Sequence, residues 1–432
     1  MRTIDLRGRR LTPAELLAAV PRAEAARGLA LATAAEIVHD VASRGETSLR
    51  EQAARFDGVE GHAVRVPREH LDEALEAIEP AVREAIEESI RRVRLASAAQ
   101  VPPDRVTELG PGARVEQRWR PVRRVGVYVP GGKAVYPSSV VMNVVPAQVA
   151  GVETVALASP PQRDHGGRVH PVILAAARLL GVSEVYAMGG AGAIGAFAYG
   201  VASLELDPVD VISGPGNNFV ALAKRVVAGV VGTDSEAGAT EILIVADGEA
   251  DADLVAADLV SQAEHDEQAA AVLVTDSATL AASVAERVAA RAAATRHAER
   301  VAVALDGPQS AIVLVDDIPA ATAFSNAYAP EHLELHLVEP RTDDYVNAGA
   351  VFVGSHTPVS LGDYLAGSNH VLPTGGQARY AAGLGAATFL RSQQVISYDR
   401  EALRAVHHGI LALSDSEQLP AHGEAVSARF DA

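Results

Sequence analysis

The stretch RVGVYVPGG (124–132) opens a rhythm that runs to residue 247 and decides the fold. Short β-branched runs recur along it: VGVYV (125–129), TVALA (154–158), EVYAM (184–188), DVI (210–212) and EILIV (241–245). Ala-rich segments of helical character separate them, at spacings suited to a strand, a crossover helix and the next parallel strand. The pattern predicts a parallel-sheet domain of Rossmann-like character.

Downstream the alternation resumes. It predicts a helix over 254–264, a strand over 271–275, a helix over 277–294, a strand over 312–315, a helix over 320–328 and a strand over 350–353. Two tandem α/β units imply an enzyme divided by a cleft. Upstream, 28–99 reads as helical and heavily charged, as in REAIEESIRRVRLASAAQ (83–100), until Pro102-Pro103 and Gly110-Pro111-Gly112 break it. Beyond about Tyr380 the patterning weakens into a small polar tail. The expected architecture is α/β with two Rossmann-like domains. The second, 126–239, is inserted into the first, built from 28–125 and 240–379, with arms at 1–27 and 380–432.

Composition bounds the function. The chain has 432 residues, which suits two or three domains, and 48% hydrophobic against 21% charged residues suits a soluble globular enzyme. With 37 Lys+Arg against 55 Asp+Glu the formal charge is −18, a surface that repels nucleic-acid phosphates and anionic lipid. There is no cysteine, which excludes disulfides, Cys-based zinc sites and a thiolate nucleophile for aldehyde oxidation. The first 25 residues carry charges throughout and lack the apolar core of a signal peptide, and no run of about 18 apolar residues occurs. A cytoplasmic protein is expected.

Three strand ends run into glycine turns: Pro130-Gly131-Gly132, Gly189-Gly190-Ala191-Gly192 and Gly214-Pro215-Gly216-Asn217. Glycine permits close backbone approach, and the helix that follows offers free N–H groups to a pyrophosphate. Residues 190–195 fit G-x-G-x-x-G, but the acidic residue that should close the next strand is missing, since Asp207 and Asp210 precede that strand. A plain glycine turn explains this motif equally well.

Gln262 and His265, three apart near a helix end in LVAADLVSQAEHDEQ (254–268), share a stripe with Val255 and Asp258. Such a pair chelates a divalent ion, or is a polar helix end with a solvated imidazole. Glu331-His332 follows Pro330 at a helix-to-strand junction. Asp363 lies in a loop of glycine and serine, and His422 lies in the tail with Glu417 five residues before it. Each taken alone also reads as an ordinary solvated side chain on the surface.

Together these segments resemble the histidinol dehydrogenase family over nearly the whole chain. The resemblance is carried by RVGVYVPGGKAVYPSSVVMN (124–143), ISGPGNNFVALAKR (212–225), AADLVSQAEHDEQAA (256–270), NAYAPEHLEL (326–335), LGDYLAGSNHVLPT (361–374) and LPAHGEAV (419–426). It implies oxidation of histidinol through histidinal to histidine, with NAD and one zinc per subunit. It implies zinc held by Gln262, His265, Asp363 and His422, with Thr240, His370 and Glu417 lining the substrate pocket. It implies Glu331 and His332 as the catalytic pair, and a homodimer in which Glu417 and His422 complete the partner's site. The chemistry of the pair also follows from the residues. A His near neutral pKa suits removal of a hydroxyl proton, and with no cysteine a carboxylate must activate the water that converts aldehyde to acid. Tyr128 and Asn217 match cofactor contacts. Gly192 stands where the resemblance implies a cofactor-binding Gln, and Ala239 where it implies Pro, so weakened NAD binding is expected. These two departures leave room for a related zinc/NAD dehydrogenase of another polar alcohol, such as a sulfonated diol.

Overall fold

The computed structural model describes residues 1–22, 27–131, 135–235 and 238–430, with 27–29 by backbone alone. Gly132, in the first glycine turn, lies outside the described residues. The chain forms two compact units, one of residues 1–100 and 122–389, the other of 101–121 and 390–432.

The first unit holds two parallel sheets. The six-stranded sheet runs in the order Arg2–Asp5, Ala311–Leu314, Ala270–Thr275, Glu241–Ala246, His332–His336, Ala350–Val353. Its central strands are apolar at almost every position because both faces are covered. Ile242, Ile244, Leu273 and Ile312 pack on one face against Val255 and Leu259 of the helix Ala252–Ala263 and Val284 of the helix Ala278–Ala294. The alternate residues Leu243, Val245, Val272, Val274, Leu333 and Leu335 pack on the other, against Phe324 and Tyr328 of the helix Ile318–Tyr328. Strand alternation thus puts His332, Glu334 and His336 on the face of the helix Ala252–Ala263.

The five-stranded sheet runs Glu184–Ala187, Thr154–Ser159, Arg124–Tyr128, Val211–Ser213, Gly232–Thr233. The runs at 125–129, 154–158, 184–188 and 210–212 therefore form one sheet, as their rhythm predicts, while EILIV joins the six-stranded sheet.

Three segments lie elsewhere than their sequence suggests. Residues 1–27 are not merely an arm: Arg2–Asp5 is an edge strand registered on Ala311–Leu314. Residues 28–100 belong with the helices of the five-stranded sheet. The helix Arg27–Arg44 packs on Gly190–Tyr199 and Asn218–Val227, Arg68–Ala77 on Pro171–Leu179, and Pro80–Ala98 on Pro137–Ala150. Ala34, Val38 and Val41 share a core with Ile194, Phe197 and Val220, which outweighs nearness in sequence to the first strand. The tail is regular. In the second unit Leu390–Tyr398 pairs antiparallel with Ala113–Pro121, which pairs with Arg105–Gly110. The helices Arg400–Ser416 and Pro420–Ser427 follow, the first capped by Asp399 through a hydrogen bond from Ala402 N. Most of Leu390–Tyr398 is exposed, so it lacks the apolar alternation that reveals a strand. No helix among the described residues is long and apolar enough to cross a membrane.

Candidate active site

A cleft of about 2100 Å³ lies within the first unit. The five-stranded sheet faces it with the carboxyl ends of strands, at Tyr128, Gly189-Gly190 and Pro215-Gly216-Asn217. The six-stranded sheet faces it with amino ends, at Thr240-Glu241 and Glu331-His332.

Ala329 takes φ +50° to end the helix Ile318–Tyr328, and Pro330 prevents its resumption, so the chain enters its strand at Glu331-His332. Both side chains are buried. Glu331 Oε2 accepts from Thr240 Oγ1 at 2.7 Å and from Glu241 N at 2.9 Å, which leaves Oε1 as the open oxygen. His332 Nδ1 lies 3.1 Å from the Glu241 carbonyl and 3.5 Å from Glu331 Oε2. Donation to that carbonyl puts the proton on Nδ1 and leaves Nε2 as the basic nitrogen. Burial raises the Glu331 carboxyl above its ordinary range, while His332 and the two donors pull it back.

Thr240 links this pair to Gln262. Its hydroxyl donates to Glu331 and accepts from Gln262 Nε2 at 2.7 Å, so the amide is oriented with Oε1 on its other side. His265 follows the end of the same helix, and its Nε2 lies 3.9 Å from Asp363 Oδ2. Loss of surrounding water lowers the His265 pKa, opposed by Asp363. A neutral imidazole is the form that binds metal. Asp363 lies not in a loop but in the short helix Val359–Tyr364. That helix sits close to the sheet because of Gly362, where a Cβ would come within 2.6 Å of the Phe352 ring. His370 is placed by a 3.0 Å contact of Nδ1 with the Asp363 carbonyl and by Ser139 Oγ, 3.3 Å from Nε2; burial lowers its pKa. Gln262 Oε1, His265 and Asp363 thus offer one nitrogen and two oxygen ligands of the kind zinc accepts. Glu417 and His422, expected at the same site, belong to the second unit, where both are exposed.

On the glycine side, Tyr128 is buried and its hydroxyl accepts from Gly190 N at 3.1 Å. Burial pushes the phenol up to about 12. Gly214 takes φ +116°, and a Cβ there would come 2.0 Å from the Tyr128 carbonyl oxygen, so no other residue fits. Buried Lys224 holds this turn, donating to the Gly214 carbonyl at 2.6 Å and pairing with Asp234 at 2.5 Å. Asn217 caps its helix through Oδ1, accepting from Phe219 N and Val220 N. Its amide nitrogen is thereby directed elsewhere, and the residue lines the cleft. Closely approaching backbone and helix N-termini at carboxyl strand ends fit a dinucleotide. Nothing in the structure explains Ala239.

Several functional neighbours escaped the sequence reading. Glu241 looks like one more buried strand residue, yet its N–H and carbonyl hold Glu331 and His332. Its carboxylate accepts from Arg22 Nε at 2.7 Å and from Gly375 N at 2.9 Å. Arg22 also donates to the Tyr328 and Ala329 carbonyls and stacks 4.0 Å over the Tyr328 ring. No local pattern pairs positions so far apart. Asp57, which also lines the cleft, is pushed up to about 6 by burial. Among the described residues, one cluster has three His, Asp or Glu donor atoms within 4.8 Å of one another, namely Asp258, Glu334 and His336. It differs from the set the resemblance implies. Glu334 Oε1 accepts from Val359 N at 2.8 Å, and burial together with Glu334 pushes the Asp258 carboxyl up to about 7.

Two parallel sheets meeting a cleft, one with glycine turns and the other with a buried carboxylate–imidazole pair, fit an oxidoreductase of small molecules. The chain belongs to the histidinol dehydrogenase family, whose model matches residues 21–430. It is 63% identical over 433 residues to a histidinol dehydrogenase of Leifsonia xyli, covering 100% of this chain and 99% of that one. It is 53% identical over 438 residues to one from Corynebacterium diphtheriae, covering 100% and 98%. The crystal structure of a histidinol dehydrogenase from Elizabethkingia anophelis superposes with a TM-score of 0.93 at 30% identity, covering 100% of this chain and 98% of that one.

Proposed function

We propose that the chain oxidises histidinol through histidinal to histidine, using NAD as hydride acceptor. The observation that carries the reading is the Glu331–His332 pair, in which each group is fixed by Glu241 and keeps one open atom. His332 Nε2 removes the hydroxyl proton as hydride leaves the alcohol carbon. Glu331 Oε1 then takes a proton from water as the water oxygen adds to the aldehyde carbon, and protonated His332 returns its proton to the former carbonyl oxygen, which gives the hydrate. The hydrate loses a second hydride, and His332 again takes the proton. Raising the carboxyl by burial brings its basicity closer to the working pH. The glycine turns would hold NAD, which would supply the hydride acceptor, one molecule for each of the two oxidations. The names of relatives at 53–63% identity favour histidinol over another polar alcohol such as a sulfonated diol.

Gln262, His265 and Asp363 would hold zinc, whose chemistry is to template and clamp the substrate's polar groups. On this reading Glu417 and His422 come from a second copy. The second unit exposes Ile396, Leu413 and Leu419, apolar side chains that a partner would cover. Two tests follow. NADH should form from histidinol and be lost with a chelator, and no turnover of histidinol would overturn the substrate. Mixed His332→Ala and His422→Ala proteins should regain up to about one quarter of the activity, since half the dimers are hybrids with one intact site of two. Hybrid dimers without activity would mean that each chain builds its own site.

A further inference from the structure

Gly192 lies in the first turn of the helix Gly190–Tyr199, and the space before it is taken. A Cβ built there stands 2.1 Å from Oε1 of Gln52 and 3.0 Å from its Cδ. Gln52 itself lines the cleft, next to the glycine turn.

Its amide is oriented by a directional chain. Arg44 pairs with the Asp40 carboxylate, through Nε to Oδ1 at 2.6 Å and Nη2 to Oδ2 at 2.5 Å. A carboxylate only accepts, so Ser48 Oγ must donate to Asp40 Oδ2, at 2.6 Å. The Ser48 oxygen therefore accepts from Gln52 Nε2, at 2.9 Å. The amide nitrogen is committed to Ser48, and the oxygen points toward Gly192 with no donor among the described residues. Directly after Gln52 the helix widens into a π-turn, Ala53–Asp57, a distortion that recurs at functional sites, and its last two residues, Phe56 and Asp57, line the same cleft.

We propose that Gln52 is a cofactor-binding residue. Its carboxamide oxygen accepts a hydrogen bond from a ribose hydroxyl of the dinucleotide, and Gly192 is the residue that leaves room for it. The inference rests on the reading that this cleft binds NAD. It reverses the expectation drawn from Gly192 alone, because here the glycine serves cofactor binding.

A double-mutant cycle on the full chain tests it, with the NADH dissociation constant read by calorimetry. Gln52→Ala and Gly192→Ala each weaken NADH binding roughly fivefold, the size of one lost hydrogen bond. A Cβ at residue 192 displaces only the end of a flexible side chain, so Gly192→Ala keeps its fold. The double variant binds no more weakly than either single one. Gln52→Leu, which keeps the volume, repeats the loss. Gly192→Gln also weakens binding, whereas a simple missing amide at 192 predicts that it tightens. Wild-type affinity in Gln52→Leu, or tighter binding in Gly192→Gln, overturns the role of Gln52. A wild-type chain that binds no NADH overturns the cofactor reading itself.

Discussion

The two sheets present opposite ends of their strands to one cleft, and they build their halves of it by different means. The five-stranded sheet uses carboxyl ends and backbone, with Gly189, Gly190 and Gly214 bringing N–H groups and main chain close to whatever binds. The six-stranded sheet uses amino ends and side chains tied to one another, Gln262 to Thr240, Thr240 to Glu331, and Glu241 to Arg22. Backbone sites need small residues in a row and leave a local motif. Networked sites need partners from many strands and leave almost none. The difference predicts where substitutions strike hardest.

The largest effect belongs to the network's centre. Glu331→Gln should slow the aldehyde step by about 10²- to 10⁴-fold, the usual contribution of a general base, and the alcohol step far less. Single-turnover kinetics started from histidinol and from histidinal separate the steps, and equal slowing of both would remove the role of Glu331 as water activator.

A smaller effect belongs to the clamp behind it. Arg22→Ala should lower kcat roughly tenfold and shift the pH profile, because Glu241 loses the partner that holds its backbone against both catalytic groups. Arg22→Lys should recover only part, since one ammonium cannot meet Glu241 and the two carbonyls in the geometry of a guanidinium. An unchanged pH profile, with only thermal stability lowered, would make Arg22 merely structural.

The smallest effect concerns Asp258, on the helix Ala252–Ala263. Asp258 is raised by burial and by Glu334 to about 7. An acid raised on folding contributes its stability fully below the ordinary carboxylate range and loses it as pH rises through the folded value. Asp258→Asn, always neutral, should therefore raise the melting temperature by roughly 2–5 °C at pH 8 and leave it nearly unchanged at pH 4. A difference independent of pH would mean that folding does not raise Asp258.

The contrast also explains what could be read in advance. The runs that begin with VGVYV were legible because strands buried on both faces are apolar and β-branched at nearly every position. The glycine turns were legible because only glycine meets the need at positions such as Gly214. Arg2–Asp5 and Leu390–Tyr398 were not, since an edge strand and an exposed strand carry no such run. Glu331-His332 stood out through Pro330 and its junction, but Glu241 and Arg22, which hold it, looked like ordinary residues.

The sequence by itself determined the parallel α/β class, the glycine turns and the absence of thiol chemistry, because each depends on residue type alone or over a few neighbouring positions. Only the tertiary structure decided that residues 28–100 serve the five-stranded sheet, that Glu241 fixes both catalytic groups, and that Gln52 fills the space before Gly192. Those outcomes depend on burial and hydrogen-bond satisfaction between segments far apart in the chain, and they exist only once the packed core has brought the segments together.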